Sequence, residues 1–132
     1  MLPTIDANII DHNETVSRYL LSSSDFATNK LRVKARALEP SPIDQSTSVF
    51  RVNGLTENEI WDMGTREVAD PRGRRIHARA DFTVSHVLNL NLSVIPSEPP
   101  ERHALISGWS NEKHSRMAKA QELAAQASLK LP

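Results

Sequence analysis

Two histidines each have an arginine close by in the chain, His77 with Arg79 and His103 with Arg102. Metal-independent phosphodiester cleavage needs that combination: one imidazole takes a proton, the other gives one, and a guanidinium stabilises the charge developing on the phosphorane. His77 and His103, with Arg79 or Arg51 as the cation, are therefore the candidate catalytic set of an enzyme reading of toxin-type ribonuclease class. A second chemistry is electrostatic. Lys30-Leu31-Arg32-Val33-Lys34-Ala35-Arg36-Ala37 and Arg75-Ile76-His77-Ala78-Arg79-Ala80 alternate charged and apolar residues with period two. Successive side chains of a strand point to opposite faces, so each run predicts a cationic row backed by an apolar one. Lys30, Arg32, Lys34, Arg36, Arg75, His77 and Arg79 would then meet phosphates or carboxylates if the two strands were neighbours. Trp109, which follows Gly108 at a predicted strand end, is a further candidate for anchoring a partner. Alternation of this kind also marks any half-buried strand, where lysine and arginine on the solvent face discourage edge-to-edge pairing.

Other chemistries lack their residues. The chain has no cysteine, which removes a disulfide framework, a thiolate zinc site and a cysteine nucleophile together. No H-x-x-x-H string or carboxylate cluster has metal-ligand spacing, and the glycines at 54, 64, 73 and 108 stand singly, so no Gly-rich phosphate loop exists. No cofactor and no metal are expected. The opening Met1-Leu2-Pro3-Thr4-Ile5-Asp6 carries acid where a leader would carry base, and no apolar run approaches the roughly 18 residues of a membrane span. These features predict a cytoplasmic protein without membrane contact, and a length of 132 residues suits one domain.

Sixteen bases balance sixteen acids, so no field of one sign surrounds the whole molecule. Locally the charges are segregated. Residues 30–36 hold four bases and residues 71–79 four more, whereas residues 37–70 hold seven acids and two bases. The acidic helix with Glu57, Glu59, Asp62 and Glu67 either neutralises the basic segments or meets a basic partner of its own.

The elements that must position these residues follow from spacing and punctuation. Val16, Tyr19 and Leu20 after Asp11 and Asn13 predict a short N-terminal helix over 11–21. The first basic run predicts a strand, and Glu39–Ser46 with Pro40 and Pro42 a loop. Ser48–Val52 predicts a strand ending at Asn53-Gly54. Thr56 and Glu59 form a T-x-x-E capping box, with Leu55 and Ile60 as its hydrophobic staple, at the start of a helix over 56–69 that Asp70-Pro71 stops. The second basic run predicts another strand. Leu88, Leu90, Leu92 and Val94 alternate with polar residues, which predicts a strand from near Val87 to Ile95. His103–Trp109 predicts a short strand, Ser110 an N-cap, and an alanine-lined helix over 111–129 a close approach to the sheet.

The expected fold is α+β: a mixed or antiparallel sheet of about five short strands with an N-terminal helix, a capped central helix and a C-terminal helix. No stretch resembles a known family closely enough to carry its function. Complementary charged blocks suffice for association, whereas catalysis demands converging geometry. The favoured expectation is therefore a small binding or adaptor subunit of a larger assembly, contacting an anionic partner, either an acidic protein face or a nucleic-acid backbone. Oligomeric state is left open.

Overall fold

The structure, a computed structural model, describes residues 9–132; the acidic opening Met1–Asp6 lies outside them. Its elements in chain order are β1 (Thr15–Leu20), β2 (Phe26–Ala27), β3 (Arg32–Val33), β4 (Thr47–Arg51), α1 (Glu57–Gly64), β5 (Ala78–Thr83), α2 (Val84–Leu88), β6 (Ser93–Pro96), β7 (His103–Ser107), α3 (Lys113–Gln126) and β8 (Ser128–Lys130). Six strands form one antiparallel sheet in the order β6-β7-β4-β1-β5-β8, and β2 pairs with β3 in a small second sheet. The fold class is α+β, as expected.

Each face of the large sheet carries its own core. On one face Val16, Leu20, Val49, Phe82 and Ile106 pack with Ala120, Leu123 and Ala124 of α3. On the other, Tyr19, Phe50 and Val52 pack with Ile60 and Met63 of α1. The capping box forms: Thr56 N donates to Glu59 Oε1 at 2.9 Å, and Glu59 N donates to Thr56 Oγ1 at 3.2 Å. That hydrogen bonding holds the Glu59 carboxyl below its usual range. The helix continues past α1 as a π-turn over Thr65–Ala69 and a 3-10 turn over Asp70–Arg72. Gly64 is needed at the end of α1, because a Cβ there would overlap the Tyr19 ring carbons.

Four expectations are corrected. Among the described residues no helix forms over 11–21; residues 15–20 form the central strand β1. A strand covered on both faces is apolar at both parities, so Val16, Tyr19 and Leu20 imitate helical spacing. The first basic run is not a continuous strand, since Leu31 takes a left-handed φ of 47° and a 3-10 turn occupies Ala35–Ala37, leaving only Arg32–Val33 paired as a strand. The alternating run from Val87 to Ile95 is interrupted: Thr83 caps α2, and Asn91 at φ 60° turns the chain before β6. The last helix is capped by Glu112 rather than Ser110 and stops at Gln126, after which β8 pairs with β5.

Candidate functional site

Burial sorts the candidate cations into two groups. Arg79 points into the α1-side core: its Nε lies 3.0 Å from Asp81 Oδ1 and its Nη2 2.6 Å from Glu57 Oε2, while Cζ sits 4.6 Å from the Trp61 ring centroid. Asp81 also accepts from Ser17 Oγ at 2.6 Å. Burial lowers the Arg79 pKa, but the bonds to Asp81 and Glu57 outweigh it and hold the guanidinium above its ordinary value. Arg51 is likewise interior, donating from Nε and Nη2 to Glu14 at 2.8 and 2.7 Å and to the Ile9 carbonyl at 2.8 Å. Arg102 Nη1 bridges the Arg51 and Asn53 carbonyls at 3.0 and 2.8 Å. Trp109 is buried, its indole N–H donating to the Ile106 carbonyl at 3.2 Å. Lys30, Arg32, Lys34, Arg36 and Arg75 are exposed.

The two basic segments do not lie side by side as strands, because β3 pairs with β2 while β5 pairs with β1 and β8. The two candidate histidines are also kept apart. His103 is on β7 and His77 leads into β5, with β4 and β1 between those strands, so about 14 Å of sheet separates them at the usual strand spacing. His77 is half-buried, its backbone N–H donating to the Leu20 carbonyl at 2.8 Å.

The basic segments meet elsewhere, at their ends. Strands β1 and β4 share only two residue pairs, Val16↔Arg51 and Ser17↔Phe50, and then diverge. Arg18 fills the gap, its Nη1 donating to the Ser48 carbonyl at 3.0 Å and its Nε to the Ala37 carbonyl at 3.1 Å. Around it open two adjoining depressions. The smaller, about 140 Å³, is lined by Ser48, Phe50, Glu67, Pro100 and His103 together with Arg18, Tyr19, Val68 and Arg72. The larger, about 300 Å³, shares those last four and adds Asp25 and Arg36. Arg36 comes from the first basic segment and Arg72 from the second.

The charge in this groove is incompletely compensated. Asp25 is held by Arg36 at 3.2 Å and Glu67 by Arg66 at 2.9 Å. Neither Arg18 nor Arg72 makes an ion pair among the described residues. Burial depresses the Arg18 pKa, Asp25 partly restores it, and the like charge of Arg72 lowers it again. Repulsion between two fixed guanidinium groups is what a bound anion would relieve.

At the other end of the groove, His103 Nδ1 lies 2.9 Å from the Ser97 carbonyl and its Nε2 2.5 Å from Ser48 Oγ, with the ring edge-on to Phe50 at 5.2 Å. Of the site residues the sequence nominated, Arg36 and His103 fall in the groove. Arg18, Arg72 and Ser48 were not nominated. Arg18 had one signal, being the only base among residues 1–29; a lone serine at the head of a strand had none. Among the described residues no three His, Asp or Glu side chains cluster to hold a metal, and no helix is long and apolar enough to cross a membrane. Fold and site define an α+β protein with an arginine-lined groove across a splayed sheet. No family model, curated protein or solved structure matches the chain.

Proposed function

We propose that this chain is a small cytosolic binding or adaptor subunit that seats an acidic segment of a protein partner in the groove of Arg18, Arg36 and Arg72. The carrying observation is the convergence of both basic segments on one depression in which, among the described residues, neither Arg18 nor Arg72 makes an ion pair. The planar guanidinium fork matches a carboxylate bidentately, which favours arginine over lysine in such a role. A protein partner is favoured over nucleic acid because the aromatic rings at the groove, Tyr19 and Phe50, are buried at 6% and 3% exposure and offer no face for bases to stack on.

Fluorescence anisotropy with a labelled peptide rich in aspartate and glutamate tests this. The Arg36→Glu/Arg72→Glu variant should lose at least about tenfold in affinity, or ~1.4 kcal/mol, and binding by the native protein should weaken as salt is raised. Unchanged affinity in the double variant overturns the reading, and tighter binding of a single-stranded RNA than of the peptide transfers it to nucleic acid.

A further inference from the structure

We infer that Ser48 is a histidine-activated nucleophile and that the groove hydrolyses short acyl esters whose alcohol half carries an anionic group. A carbonyl oxygen only accepts, so the 2.9 Å contact between His103 Nδ1 and the Ser97 carbonyl places the ring proton on Nδ1. The neutral ring then presents a lone pair at Nε2, and the Ser48 hydroxyl, 2.5 Å away, must donate to it. Nucleophile, base and orienting acceptor thus stand in the order that activates a serine, with a main-chain carbonyl in the orienting place.

The supports are rigid. Ser48 and His103 sit on neighbouring strands of the large sheet, where the register Phe50↔His103 and Ser48↔Leu105 makes them diagonal neighbours on one face. The His103 main chain is tied on both sides of the ring, its N–H donating to the Pro100 carbonyl at 3.1 Å and its carbonyl accepting from Ser97 N at 2.9 Å. Phe50 contacts the ring edge-on. Both side chains open into the small depression, with Arg18 anchored on the Ser48 carbonyl and Arg72 on the same wall.

The reaction balances without a co-reactant other than water. His103 Nε2 takes the Ser48 proton as Oγ bonds to the ester carbonyl carbon, and the positive charge of Arg18 and Arg72 stabilises the oxyanion. The carbon–oxygen bond to the alcohol breaks, and the proton on His103 leaves with the alkoxide. Water then gives a proton to His103 and attacks the acyl-serine, releasing the carboxylic acid and returning the proton to Ser48. The small depression, about 140 Å³, suits a short acyl group. Its neighbour, with Arg36 and Arg72, suits an anionic alcohol half, and this choice of substrate rests on the anion-binding reading given above.

Diisopropyl fluorophosphate, followed by peptide mass spectrometry, tests the nucleophile separately from that reading. A stoichiometric adduct on Ser48, formed at least 100-fold more slowly in His103→Gln, is expected; absence of an adduct, or equal rates in the two proteins, overturns the proposal. Hydrolysis of 4-acetoxybenzoate should exceed that of phenyl acetate at least tenfold in kcat/KM, and equal values overturn the anionic substrate class. Protein that binds the acidic peptide but gives no adduct keeps the groove and loses the nucleophile; an adduct without peptide binding does the reverse.

Discussion

Arg51, Arg79 and Arg102 are sealed inside the molecule, whereas Arg18, Arg36 and Arg72 line an open groove, and the difference lies in where the sheet puts them. The first three project from well-paired strands or their immediate flanks into space closed by other elements, so each must meet acceptors there: Glu14 for Arg51, Asp81 and Glu57 for Arg79, main-chain carbonyls for Arg102. An unpaired interior charge would cost several kcal/mol, which leaves such a residue no latitude. The groove arginines stand where β1 and β4 part and where two turns end: Arg36 and Arg72 are exposed to water there, and Arg18, half-buried behind them, donates to the Ser48 and Ala37 carbonyls. Residue type is the same in both regions. Burial separates the cations that hold the fold from those left at the surface.

The largest loss of stability is expected at Arg51. Glu14→Ala removes the carboxylate that accepts from both Nε and Nη2, and should cost about 3–5 kcal/mol, read as a lower urea midpoint. Replacing both partners by apolar residues of similar size should recover most of that loss, since the desolvation penalty disappears with the charges. The Arg79 site separates its two carboxylates. The Asp81 side chain is 14% exposed and Glu57 64%. Asp81→Asn should therefore cost about 1.5–3 kcal/mol, and Glu57→Gln no more than ~1 kcal/mol because solvent screens that pair.

Tyr19 forms the wall between the two regions and supplies a pH signature. Its hydroxyl donates to the Ile60 carbonyl at 2.6 Å, and burial pushes its pKa up, well above the ordinary phenol value. The unfolded chain therefore loses the Tyr19 proton first. The contribution is fully present below about pH 10 and is lost as pH rises from there through the folded value. Tyr19→Phe should cost about 1 kcal/mol at neutral pH and flatten the fall in stability above pH 10; an unchanged slope in chemical denaturation would show that the phenol does not drive it.

Legibility in the sequence followed how local each feature is. The capping box of Thr56 and Glu59 is a four-residue signature, and both of its bonds form. The strands at Thr47–Arg51 and His103–Ser107 follow from short apolar runs bounded by turns. The centre of the sheet misled, because β1 is covered on both faces and carries no period-two contrast, while α2 and the Asn91 turn were hidden under an alternation of leucine and asparagine. The groove was the least legible part. It joins Arg18, Ser48, Arg72 and His103 across a gap created by the two-pair register of β1 and β4, a long-range outcome that no local spacing encodes. The sequence's charge segregation marked both basic segments, of which the fold turns Arg79 inward and sets Arg36 and Arg72 along one depression.

The smallest effect on stability is expected where the effect on partner binding is largest. The Arg36 side chain is 62% exposed and its contact with Asp25 is the kind of pair that contributes ~0–1 kcal/mol. Arg72 is exposed and, among the described residues, donates only to the Val68 carbonyl within its own helical turn, at 3.0 Å. Single Arg36→Ser and Arg72→Ser substitutions should each move the urea midpoint by no more than about 0.5 kcal/mol in free energy. Arg72→Ser should also relieve the like charge on Arg18. A loss of 3 kcal/mol from either would place these arginines with Arg51 as structural cations and dissolve the distinction between sealed and open sites.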